Sequence, residues 1–181
     1  MIALAAVETG SIAQGTVAGD AMVKTATVTL VECRPLSPGK FWVLIGGDVA
    51  EVRAALAKGI DAAADTLLDS LFIPQLHDGV LPALRGTARG GDDDALGVIE
   101  TLTAASSIVA ADQAAKAARV TLRDLRLADG LGGKGYVYLS GAVSDVQAAV
   151  EAGRAEAQKK GLLVRSVVIP RLHPQMKERV L

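Results

Sequence analysis

The chain has 181 residues, half of them hydrophobic but only 3% aromatic, and a formal net charge of -1. That length admits one domain or two small ones, and small lobes with cores of Ala, Val, Leu and Ile bury little area each, so association is expected. The balanced charge, with no long Lys/Arg run, excludes a nucleic-acid footprint; a lone Cys33 excludes an internal disulfide, and two histidines without a C-x-x-C pair offer little to zinc.

Taken in chain order, the apolar start Met1 to Val7 is broken at Glu8 and has no basic flank or small-residue cleavage site. It reads as a strand, Ala3 to Glu8, and not as a signal peptide or membrane span, which points to the cytoplasm. An Ala-rich helix follows, on which Ile12, Val17, Ala21 and Met22 can share one face. A strand through Val28-Thr-Leu30, a glycine-containing loop and an apolar strand from Phe41 to Ile45 come next. Asp48 then stands as an N-cap three residues before Glu51, opening the helix VAEVRAALAKGIDAAA. The last strand stops at Pro74, which cannot donate to a ladder.

The same order then repeats. ALAAVET (Ala3 to Thr9) returns as ALGVIET (Ala95 to Thr101), a shift of 92 positions that also carries Asp20 to Asp112, Lys24 to Lys116 and Leu30 to Leu122. After a two-residue insertion Lys40 faces Lys134 and Gly47 faces Gly141, and FIPQLH (Phe72 to His77) faces VIPRLH (Val168 to His173). We therefore expect an α/β chain of the α+β, ferredoxin-like kind: two tandem β-α-β-β-α-β domains in unpermuted order, each with a short helical tail. Residues 1–84 form the first domain, 85–94 a solvated linker and 95–181 the second. The acidic run Asp92 to Asp94 reads as a solvated charge cluster, because neighbouring carboxylates in a flexible loop are not preorganised for a hard cation.

Chemistry-bearing motifs are few. GLGGKG, Gly130 to Gly135, fits the G-x-G-x-x-G template, but the strand YVYLSG follows it where a phosphate site needs a helix N-terminus. It is the second copy of the turn written PLSPGKF from Pro35 to Phe41, where glycine permits positive φ. His77 and His173 occupy one repeat position without further ligands nearby, so a structural or interfacial role is expected. Lys24 and Lys116, in Ala-rich settings, suit an exposed or edge-packing role. No G-x-S-x-G elbow or carboxylate pair supports hydrolysis, and no enzyme activity is expected. Two similar lobes on one chain can instead mimic adjacent subunits of a ring, three chains giving six lobes.

The ALGVIET and ALAAVET pair, the two D-x-x-x-K segments, the SPGKF and GGKGY loops and the two IPxLH segments together resemble the bacterial microcompartment shell proteins with tandem domains. The likeness runs from Ile2 to about Arg179 and is most like the shell trimer of propanediol-utilisation compartments. It implies a flat pseudohexameric homotrimer that tiles the shell in the bacterial cytoplasm with other shell hexamers and trimers, around encapsulated enzymes, and binds neither nucleic acid nor membrane. It also implies a central pore, lined by Leu36, Ser37, Pro38 and Gly39 from the first domain and Gly130, Leu131, Gly132 and Gly133 from the second. Lys24 and Lys116 match edge lysines, with His77 and His173 nearby, and Arg171 matches a supporting edge arginine. Gln75 replaces that arginine in the first domain, so the two edges should differ.

In that family's propanediol-utilisation member a cysteine just before P-G-K-F holds an iron–sulfur cluster on the threefold axis. Ser37 stands there in this chain, and a hydroxyl is a poor substitute for thiolate. Cys33 lies four residues earlier, up to about 13 Å away at roughly 3.3 Å per residue, and reads as a small buried hydrophobe. No cofactor is expected, and the pore becomes a passage for small polar metabolites, with Lys40 and Lys134 favouring anions. Two alternatives are an electron-transfer shell trimer bearing a cluster and a small-molecule sensor built on tandem ferredoxin-like domains.

Overall fold

Apolar runs of seven or eight residues alternate with alanine-rich stretches of fourteen to seventeen, and each kind takes the structure its period favours. The computed structural model describes residues 3–90 and 94–180. They fall into two compact units, one of residues 3–76 with the loop 128–133 and one of residues 77–90, 94–127 and 134–180. Asp92 and Asp93 of the acidic run lie outside the described residues.

In the first unit β1 (Ala3–Thr9), α1 (Ile12–Thr25), β2 (Thr29–Leu36), β3 (Lys40–Gly47), α2 (Val49–Ala63) and β4 (Leu67–Ile73) follow one another, with a single 3-10 turn before β4. The strands form an antiparallel sheet in the order β2-β3-β1-β4. Both helices lie against this sheet, where Ala5 and Val7 of β1, Val43 and Ile45 of β3, Met22 of α1 and Val52 and Ala55 of α2 form a dry core.

Burial on α1 differs from the sequence expectation. Ile12 and Val17 are exposed, and the buried positions are Gly15, Ala18, Gly19 and Met22. Their i, i+3, i+4, i+7 spacing is one helix face, chosen by smallness more than by hydrophobicity. A Cβ on Gly15 would stand 2.5 Å from Thr9 Oγ1 and 2.6 Å from Phe41 Cβ, so only glycine lets α1 approach the sheet there. Ser11 caps α1 by accepting from the Gln14 N–H at 3.2 Å, and Asp48 caps α2 by accepting from Ala50 at 2.8 Å. Glu51 does not close the capping box expected of it: its carboxylate accepts instead from the Thr27 N–H at 2.9 Å, tying α2 to the start of β2.

The second unit opens with a short helix, α3 (Val80–Leu84), and continues with β5 (Ala95–Thr101), α4 (Ala104–Ala117), β6 (Thr121–Leu127), β7 (Gly135–Gly141), α5 (Val143–Lys159), β8 (Leu163–Pro170) and α6 (Pro174–Val180). Its sheet order, β6-β7-β5-β8, is that of the first unit. Thr103 caps α4 by accepting from the Ser106 N–H at 3.2 Å, whereas Ala142 at the start of α5 supplies no side-chain cap where Asp48 does in the first copy. The β-α-β-β-α-β order expected from sequence is present in both copies.

Candidate functional site

Two strand-connecting loops meet in the first unit. The β2–β3 turn is tight: Leu36 pairs with Lys40 across the ladder, and the Gly39 N–H donates to the Leu36 carbonyl at 3.1 Å. Gly39 has φ 86°, which the turn requires and an L side chain resists. The loop 128–133 is built on the same freedom, with Gly130, Gly132 and Gly133 all at positive φ and the Leu131 N–H returning to Ala128 at 3.0 Å.

Asp129 joins the loops. Its Oδ2 accepts from Arg34 Nη1 and its Oδ1 from the Ser37 N–H at 3.3 Å. Lys40 Nζ adds a second tie, donating to the Gly133 carbonyl at 3.0 Å and to Glu8 Oε1 at 2.8 Å. Gly133 sits so close that a Cβ there would lie 2.9 Å from Pro38 Cδ. Sequence reasoning missed Asp129, Arg34 and Glu8. Arg34 and Asp129 are 95 positions apart, and only the matching repeat position of the two loops hinted that they converge.

Ser37, Pro38, Gly39, Gly130 and Gly132 are exposed and Leu131 is half-buried. Leu36 and Gly133 depart from the expected lining: both are buried, so they support the loops from beneath. Lys40 and Lys134 depart too. Lys40 pairs with buried Glu8, and Lys134 Nζ lies 2.5 Å from Glu100 Oε1, so each ammonium is neutralised by a carboxylate of the neighbouring strand and the anion preference expected of them loses its charge.

Cys33 is exposed and not the buried hydrophobe expected, because β2 is an edge strand: its Sγ is on the helix side, 3.8 Å from where a Cβ on Gly19 would stand, but at the open margin of the sheet. Partial desolvation still pushes its thiol up from the ordinary cysteine value. It pairs in register with Val43, well down the ladder from Ser37 in the turn, and the donor set at the turn is a hydroxyl and amides. That set does not fit an iron–sulfur cluster. Among the described residues no group of three or more His, Cys, Asp or Glu side chains could hold a metal ion. Nor is any described helix long and apolar enough to cross a membrane.

The remaining expected positions divide by unit. In the first, Lys24 forms an exposed i,i+4 pair with Asp20 at 2.6 Å, and Gln75 is exposed. In the second, Lys116 reaches Asp112 at 2.6 Å, but this aspartate is fully buried and its other oxygen accepts from the His77 N–H at 2.9 Å. The structure thus brings Lys116 and His77 together through a residue that the repeat had marked only as Lys116's neighbour. His173 and Arg171 are exposed, Arg171 with φ 50°, and the Arg171 N–H donates to the Asp94 carbonyl.

Comparison with known proteins yields a consistent set of likenesses. The BMC domain matches residues 3–76 and again 95–172. The chain is 46% identical over 174 residues to the bacterial microcompartment shell protein PduT of Citrobacter freundii, covering 96% of this chain and 95% of that one. A crystal structure of a microcompartment protein from Desulfitobacterium hafniense DCB superposes with a TM-score of 0.85 at 44% identity, over 98% of this chain and 99% of the other. The carboxysome assembly protein CcmO of Synechocystis is 30% identical over 168 residues, 84% of this chain and 56% of that protein.

Proposed function

The chain belongs to the BMC-domain family of bacterial microcompartment shell proteins, and from that premise we propose that three copies close into a flat pseudohexameric tile with a pore for small polar metabolites at its centre. Its role is structural, as a shell component within the bacterial cytoplasm. The observation that carries the pore reading is the joined pair of loops, with Asp129 clamping Arg34 and the Ser37 N–H while Ser37, Gly130 and Gly132 stay exposed. Small residues leave room for a solute, and the exposed Ser37 hydroxyl can replace part of its hydration.

No catalytic role is assigned to any residue, and no cofactor, because Ser37 offers a hydroxyl where a cluster needs thiolate. Lys24, Lys116, Gln75 and Arg171 are assigned to the tile edges, where other shell hexamers and trimers would meet them. Gln75 and Arg171 make the two edges chemically different.

The test is glycerol entry into assembled shells that enclose a glycerol-oxidising reporter enzyme. Ser37→Trp should slow entry several-fold without disrupting assembly, and unchanged entry would overturn the pore reading. Anaerobic native mass spectrometry after iron-supplemented expression should give a bare trimer, and Ser37→Cys should become coloured under the same treatment. A wild-type trimer carrying a cluster's mass would overturn the cofactor assignment.

A further inference from the structure

The two sheets carry matching polar groups on one face and satisfy them differently. In the second sheet Arg126 stands opposite Tyr136 and Asp124 opposite Tyr138, so all of them share one face of β6 and β7. The Tyr136 hydroxyl reaches diagonally to Asp124 Oδ2 at 2.9 Å, and Arg126 Nε donates to the two oxygens of that carboxylate at 3.1 and 3.0 Å. Donor and acceptor meet directly across the diagonal.

In the first sheet Arg34 stands opposite Trp42 and Glu32 opposite Leu44, the same positions of the repeat. Trp42 is 0% exposed, and its Nε1 has no hydrogen-bond partner among the described residues. Glu32 Oε2 is buried too and equally without a hydrogen bond; its ion-pair partner, Arg34 Nε, stands off at 3.4 Å. A phenol carries its O–H at the far end of the ring and an indole carries its N–H on the flank, so tryptophan does not present a donor where tyrosine does. The first sheet thus holds a buried donor and a buried acceptor on the diagonal that the second sheet closes directly. Leaving both unmet is costly, and native proteins satisfy nearly all such groups, using ordered water where protein atoms do not reach.

We propose that one ordered water completes the first sheet: it accepts from Trp42 Nε1–H and from Arg34 Nε–H and donates to Glu32 Oε2, the three partners that a buried water takes. Water is the fitting ligand because the group between them must accept from an indole, donate to a carboxylate and fit between diagonal neighbours on one sheet face. The site joins Trp42 to the contacts that hold the loops. Glu32 pairs with Arg34, Arg34 Nη1 donates to Asp129, and Asp129 Oδ1 accepts from the Ser37 N–H at 3.3 Å. Trp42 is therefore a positioning residue for the loop at Ser37, acting through one water and one ion pair. The assignment depends on the first unit alone and stands apart from the pore reading.

Trp42 is the only tryptophan of the chain, so isotope labelling of indole nitrogen in the full-length protein gives a single N–H resonance. That proton should sit at the downfield position of a hydrogen-bonded indole and show a cross-relaxation peak to water, and a high-resolution crystal structure should place an oxygen within hydrogen-bond distance of Trp42 Nε1 and Glu32 Oε2. An unbonded indole resonance, or a protein atom as its acceptor, would overturn the site. Glu32→Leu, which keeps the tryptophan, should move the resonance upfield and remove the water peak; an unmoved resonance would place the partner elsewhere and also overturn it. Trp42→Phe should quicken amide exchange at Ser37 several-fold while exchange in β1 stays as in wild type. Trp42→Tyr with Glu32→Asp, which rebuilds the direct pair of the second sheet, should restore the slow exchange. Unchanged exchange at Ser37 in Trp42→Phe, or no rescue in the double variant, would overturn the positioning role.

Discussion

Lys40 Nζ lies 2.8 Å from Oε1 of Glu8, a carboxylate with no solvent exposure. Removing the ammonium leaves a charge buried without its cation, which costs far more than the pair itself is worth. Lys40→Met should lower stability by about 3 kcal/mol in urea unfolding. Lys134→Met, at the same repeat position, should cost under about 1 kcal/mol, because Glu100 retains contact with water. Equal losses would show that burial of Glu8 is not what gives the first pair its weight.

Gly59 of α2 and Gly153 of α5 are also counterparts, with different neighbours. A Cβ on Gly59 would stand 2.6 Å from Met22 Cγ and Sδ, whereas one on Gly153 would stand 2.6 Å from the backbone carbonyl of Ala110. A thioether can swing aside, and a helix backbone moves only if the helix does. Gly153→Ala should therefore destabilise by about 2 kcal/mol from overpacking. Gly59→Ala should fall within about 1 kcal/mol of wild type, since the helix-propensity gain offsets a small clash. Thermal unfolding of the two variants side by side decides this.

Tyr136 gives a pH signature. Burial first, then the hydrogen bond its hydroxyl donates to Asp124 at 2.9 Å and that carboxylate's charge, push its phenol up to about 12. The folded state thus holds the neutral phenol where the unfolded chain ionises near its ordinary value of about 10. Its stabilising contribution is complete below about pH 10 and is lost as pH rises towards 12. Tyr136→Phe should lack that decline, and the late step in the ultraviolet phenolate titration should vanish with it. Survival of the step in the variant would assign it elsewhere.

Legibility followed sequence distance. The strands and helices were readable because their period is local, and the duplication was readable because both copies kept register through Asp20 and Asp112, Lys24 and Lys116. The helix face was misread at Ile12 and Val17: in a chain this rich in Ala and Gly, close approach selects Gly15 and Gly19 for the interior, and size outweighs hydropathy. Cys33 was misread because strand membership alone does not say whether the strand is an edge. Asp20 and Asp112 looked equivalent for the reason that makes repeats readable, and they differ because only Asp112 receives a tail within its own unit.

The same distance hid Asp129, on which the last prediction rests. Its carboxylate takes Arg34 on one oxygen and the Ser37 N–H on the other, while all three groups remain exposed or nearly so. An exposed ion pair contributes at most about 1 kcal/mol, so Asp129→Ala should leave the unfolding midpoint almost unchanged. What it should lose is the tether between the loops. Amide hydrogen exchange at Ser37 and Gly39 should quicken several-fold in the variant while exchange in β1 and β3 stays as in wild type, because a loop can open locally without global unfolding. Lys40 still holds the Gly133 carbonyl in that variant, so Asp129→Ala with Lys40→Met should release the loops further than either change alone. Unaltered exchange at Ser37 in the single variant would mean that the turn geometry alone, through Gly39, keeps the loop in place.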